Sequence, residues 1–181
     1  MSPLRGAGGI CWYDAPMRQL LPALLCLPLL SACDPKFNWR EIHGKDAPFT
    51  VLLPAKPVTV ARPVQLGEQQ VTMTMTAAEV DNVSFAVGSM EMADPDQAHA
   101  AVKLMQTALV NNINGKSKTL PATGDAIDIE ATGTPTGGRP ILLIAHFAVS
   151  GKRAYQVIVE GPEKEVVREE AATFIASFKP E

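Results

Sequence analysis

Four methionines carry the spacing in this chain that comes nearest to ligand chemistry. Met73 and Met75 stand two residues apart, and Met90 and Met92 repeat the interval. Thioethers are soft ligands, and soft ligands select Cu(I). The same interval also places side chains on one face of a strand, where methionine fills irregular gaps in a core. Met73 and Met75 share parity with Val71, which puts packing ahead of copper. Met90 and Met92 fall out of phase with Val83, Phe85 and Val87 unless a bulge intervenes near Gly88. Copper aside, no metal is expected. His43, His99 and His146 sit in three separate stretches, and no pair has ligand spacing.

Other chemistries find less. The pairs Asp94/Asp96 and Asp125/Asp128 fall where turns or helix caps are expected, and solvation accounts for them there. Thr132–Gly138 is rich in glycine and threonine but lacks the GxxxxGK[ST] spacing, and a strand follows it where a phosphate loop needs a helix. No GxSxG elbow occurs. The residues therefore nominate no catalytic group and no cofactor, and the reading is that of a protein that is not an enzyme.

The remaining reactive group is a thiol. The cysteines are Cys11, Cys26 and Cys33. Cys33 closes the tetrapeptide Leu30-Ser31-Ala32-Cys33, behind an apolar run from Leu20 to Leu30 and a basic residue at Arg18. That run has the length of a secretory h-region, about 7–15 residues. A spanning helix needs about 20, and Pro22 and Pro28 interrupt this one. The tetrapeptide resembles the lipobox of a bacterial lipoprotein signal peptide, with Leu30, Ser31 and Ala32 as the recognised residues. The resemblance implies cleavage after Ala32 and a diacylglyceryl group on the Cys33 sulfur. Each buried methylene contributes about 0.8 kcal/mol, so two or three acyl chains hold a protein on a bilayer. Residues 1–32 are then a signal peptide. Met17-Arg18 fits a positive n-region, so residues 1–16 read as lying ahead of the true start.

Composition agrees with that placement. Setting aside Arg5, Arg18 and Asp14 leaves 14 basic and 18 acidic residues behind Ala32, a formal charge of −4. No basic stripe marks a nucleic-acid surface. Behind Cys33 the chain has no further cysteine, so the body must hold by its core alone.

The elements that must make this body read as follows. Residues 33–48 form a tether, in which Phe37 and Trp39 suit either a lipid interface or the body's own edge. The single domain spans 49–181. Phe49–Leu53 is a strand, and Val58–Gln65 is an irregular one interrupted at Pro63. Val71–Thr76 alternates strictly, and Val83–Met92 pairs with it antiparallel. Asp94 caps a helix with Pro95 in its first turn and Gln97 reaching back, and Asn114-Gly115 ends it, with Lys116 and Lys118 at its C-terminal end. Ala126–Ala131 is a strand, Ile141–Val149 the central strand, and Ala154–Val159 its hairpin partner. Gly161-Pro162 starts a last helix, with Glu163 and Glu165 in the first turn and Val167, Ala171, Phe174, Ile175 and Phe178 as its buried stripe. The class is α+β, an antiparallel sheet flanked by two helices.

The stretches FTVLLPAKP, LLIAHFAVSGKRAYQVIVEG and EEAATFIASFKP resemble the PsbP-like family across most of 49–180. That resemblance implies an α/β/α sandwich and a body that binds or stabilises partner proteins, with no shared catalytic residue. The expectation is a lipid-anchored envelope protein facing the periplasm. It touches the membrane through acylated Cys33 and acts as a non-catalytic interaction or assembly module. The alternative is a carrier of a small apolar ligand or lipid. Asp34 directly behind the anchor favours the inner membrane over the outer.

Overall fold

Tight turns set the sheet. Gly67-Glu68, Asp81-Asn82 and Gly151-Lys152 each join two strands with two residues. Gly67 and Gly151 take positive φ (61° and 54°), and so do Asp81 and Asn82 (49° and 62°). Two successive positive φ values give a turn whose twist matches that of the strands it joins, and Asn and Asp tolerate it.

A computed structural model describes residues 36–181. The order of elements is β1 (Arg40–His43), β2 (Phe49–Leu53), β3 (Val58–Leu66), β4 (Gln69–Val80), β5 (Val83–Glu91), α1 (Pro95–Asn112), β6 (Lys116–Leu120), β7 (Ile127–Gly133), β8 (Ile141–Ser150), β9 (Arg153–Pro162), α2 (Arg168–Ser177) and β10 (Lys179–Pro180). Seven strands make one antiparallel sheet in the order β3-β4-β5-β9-β8-β7-β6, and β1-β2-β10 make a small second sheet. The class is α+β, as the element pattern predicts.

Strand parity divides the core in two. One face of the large sheet presents Phe85, Val87, Tyr155, Val157 and Val159 to α2 and β2, joined by Phe49, Val51, Leu53, Phe174 and Phe178. The other presents Met90, Ala154, Ile158, Leu143 and Ile129 to α1, which supplies Ala98, Ala101, Val102 and Met105. The middle strands β5 and β9 are therefore buried on both faces. This resolves the phase conflict at Met90. The pairing of β5 with β9 runs without a break from Ser84↔Glu160 to Glu91↔Arg153, so no bulge is needed. Met90 points into the second core, and Val83, Phe85 and Val87 point into the first.

Several expectations are corrected. The middle of the sheet is β9, and β8 lies beside it. Val58–Leu66 is one unbroken strand, because Pro63 lies on an edge where no ladder donor is missed. The folded body starts ahead of Phe49. β1 pairs with β2, Phe37 stacks on Trp39 at 5.8 Å, and both rings meet the edge of Phe85. The aromatic pair thus serves the body's own core. Lys116 and Lys118 do not follow the end of α1 as a cap; they belong to edge strand β6. Asn114 does take the left-handed conformation (φ 47°) that turns the chain out of α1. β9 continues through Pro162, and α2 starts only at Arg168. Its first turn carries Glu169 and Glu170 in place of Glu163 and Glu165, and Val167 is 40% exposed. Ala171, Phe174 and Phe178 are buried as expected.

Candidate functional site

α2 covers the middle of the first face and leaves β6 and β7 beyond it. Alternation along β7 and β8 sends Asp128, Glu130, Ile144 and His146 to the α2 side, while Ile129, Ala131, Leu143 and Ala145 enter the core beneath α1. A cleft of about 340 Å³ results. Its apolar walls are Leu120, Pro121 and Ile144 from the sheet and Ala172, Ile175 and Ala176 from the helix.

Charged residues join the lining of this cleft, Glu130 from β7 and Arg168 from α2. The Arg168 guanidinium donates to both carboxylate oxygens of Glu130, and the Lys118 ammonium lies 3.1 Å from Glu130 Oε1. Two cations from different elements thus share one carboxylate whose side chain is only 13% exposed. The Arg168 hydrogen bond is the main cause that holds the Glu130 carboxyl below its ordinary range. Burial works against it, and Lys118 reinforces it. Arg168 is correspondingly raised, chiefly by the same bond.

Further along β7 and β8, His146 and Asp128 are directly opposed, and the imidazole Nδ1 donates to Asp128 Oδ1 at 2.6 Å. The ring edge of Phe178 stands 6.1 Å from the imidazole. A carboxylate that fixes one imidazole nitrogen leaves the other oriented for a hydrogen bond. The residues lining the cleft supply no hydroxyl or thiol for such a base to activate. The arrangement can grip an amphipathic group: apolar walls for its body, and Arg168, Glu130 and Asp128 for its polar end. Asp128 was expected at a solvated turn. It sits inside β7, and the pair with His146 escapes a one-dimensional reading because it depends on register.

The sequence-derived candidates fall elsewhere. Leu30, Ser31, Ala32 and Cys33 lie outside the described residues, as do Cys11 and Cys26. Met73 and Met75 are half-buried on the α1 side of β4, and Met90 and Met92 are buried. Met73 and Met75 come together with Gln156, but Met92 does not join them: it lines a separate cleft with Leu66 and Leu104. Among the described residues no group of three or more His, Cys, Asp or Glu converges as metal ligands, and no helix is long and apolar enough to cross a membrane.

Comparison with known proteins adds no identity to this geometry: no protein-family model matches the chain, and no curated protein matches it either.

Proposed function

We propose that this protein is a lipid-anchored component of a bacterial envelope, tied to the bilayer through acylated Cys33, with a PsbP-like body facing the periplasm. The body acts without catalysis, as a docking or assembly module for an envelope protein. The observation that carries this reading is the order Leu30-Ser31-Ala32-Cys33 behind a short apolar run broken by two prolines. Support for the PsbP-like part comes from the layering: helices on opposite faces of an antiparallel sheet, each over its own core. Support for a module working through its surface comes from those cores. They are filled by the chain's own side chains, with Phe85, Phe174, Tyr155 and Phe178 in mutual ring contact or sharing a neighbour. Asp34 behind the anchor favours the inner membrane.

The test is cell fractionation and crosslinking in intact cells. The wild-type chain is expected in the membrane fraction, carrying acyl groups and crosslinked to a defined protein. Cys33→Ser should remain unacylated, and its crosslinks should fall with its loss from the membrane. Unchanged acylation and fractionation of Cys33→Ser would reject the anchor, and an absence of specific crosslinks would reject the module.

One observation favours the second reading, a carrier of a small apolar ligand or lipid. The cleft beneath α2 has apolar walls and charged residues in its lining. A ligand that co-purifies with the wild-type chain and is lost on Ile175→Trp supports the carrier; a clean mass spectrum of the native protein counts against it.

A further inference from the structure

We propose that the α1 side of the sheet holds a thioether site for a soft monovalent cation, Cu(I), built from Met73, Met75 and Met105 around the amide of Gln156. The set differs from the one that sequence spacing offers. Met105, from α1, replaces Met92, and Met90 is left buried in the α1-side core.

Register assembles it. Met75 on β4, Gly88 on β5 and Gln156 on β9 form one cross-strand row. Gly88 is the reason that row closes up. A Cβ at that position would fall 2.7 Å from Met75 Sδ and 2.8 Å from Gln156 Nε2. Glycine inside a strand weakens it and marks a place where other groups approach closely. Here the space goes to a sulfur and an amide.

The amide reports what the sulfurs are aimed at. Gln156 Nε2 lies 3.6 Å from Met73 Sδ and 3.7 Å from Met75 Sδ. Gln156 is only 5% exposed. A buried amide ordinarily finds oxygen partners, and thioethers are weak acceptors. Two sulfur lone pairs thus converge on one electropositive group, which stands where a soft cation would stand. Rotation of the amide by half a turn would offer its carbonyl oxygen to that cation in place of its hydrogens. Met105 is assigned as the third thioether because it lines, with Met73, Gln156 and Leu109, one cleft of about 280 Å³. Neutral thioethers at low coordination number suit Cu(I) and give little to Zn²⁺, Mg²⁺ or Ca²⁺.

The test uses the full chain in detergent micelles with its cysteine thiols alkylated. Cu(I) is presented as its bicinchoninate complex under anaerobic, reducing conditions. The chain should withdraw one equivalent. Met73→Leu/Met75→Leu, which conserves volume, should weaken binding by at least about tenfold, the loss seen when even outer partners of metal ligands are removed. Met92→Leu should bind as the parent does. A parent that withdraws no copper, or a double variant that binds equally well, overturns the site. A second measurement needs no variant. Ag(I), added to the parent as a probe, should shift the ε-methyl NMR signals of Met73, Met75 and Met105 and leave that of Met92 in place. Signals that all stay put, or that all move alike, overturn it as well.

Discussion

His146 and Asp128 share one position of the β7–β8 ladder and are joined through a 2.6 Å hydrogen bond. Both side chains keep contact with water, at 21% and 25% exposure. A partly screened charge-assisted bond contributes about 1 kcal/mol. A double-mutant cycle of Asp128→Ala and His146→Ala, read by urea denaturation at pH 6, should give a coupling near that value. A coupling indistinguishable from zero would mean that the pair is geometric coincidence.

Two glutamates should move stability with pH in opposite directions. Arg168 holds Glu130 below its ordinary 4.5, so the folded state favours its ionised form. The stability this gives is fully present above about pH 4.5 and is lost as pH falls through the lower folded value. The stability advantage of wild type over Glu130→Gln should therefore be constant near neutrality and shrink below pH 4.5. Chemical denaturation between pH 3 and 7 checks it.

Burial raises Glu160 above 4.5, with no cation on it to compensate. Its charge weakens the fold, and that penalty appears as pH rises from 4.5 through the raised value. Glu160→Gln should be more stable than wild type at pH 7 and equal to it at pH 4. A variant less stable at pH 7 would show that the carboxylate makes a favourable contact that outweighs its burial.

Tyr155 is fully buried, and its hydroxyl donates to the carbonyl of Pro48 at 3.0 Å. Tyr155→Phe keeps the ring between Phe49 and Phe178 and removes only that bond. The expected loss is about 1 kcal/mol. Thermal unfolding followed by near-UV circular dichroism should report a lower midpoint with unchanged native signal.

Gly88→Ala should cost about 1–3 kcal/mol, the usual range for overpacking. The added methyl collides with Met75 Sδ and Gln156 Cγ at 2.7 and 2.8 Å. Pairing the change with Met75→Ala should recover part of the loss, because the flexible side chain is the one in the way. No recovery would place the strain on the Gln156 side of the row.

What the residues disclose in one dimension tracks how local each feature is. α1 was legible because its start is written in four consecutive residues. Asp94 Oδ1 accepts from Gln97 N at 2.8 Å, and Pro95 opens the helix. Gln97 departs from the expected box only in its target, since its side-chain amide donates to Asp94 Oδ2 at 2.9 Å. β4 was legible through Val71, Met73 and Met75, the inward members of a half-buried strand. β6 was not: Lys116-Ser117-Lys118-Thr119-Leu120 is an edge strand with only its last residue half-buried, so no alternation marks it. Nor was the cleft beneath α2. Glu130, Arg168 and Lys118 lie on three elements, and only tertiary packing brings them together. The methionines were found by spacing, but spacing alone paired Met90 with Met92. Met90 and Met92 are buried, whereas Met73 and Met75 are half-exposed and meet at Gln156.

The carbonyl of Pro48 accepts from Tyr155 and also from the backbone N–H of Glu181 at 3.0 Å, while Pro180 lies opposite Phe49 on β2. A chain made from its N-terminus therefore does not close this latch when its large sheet is complete. Until the final handful of residues arrives, β2 has one free flank.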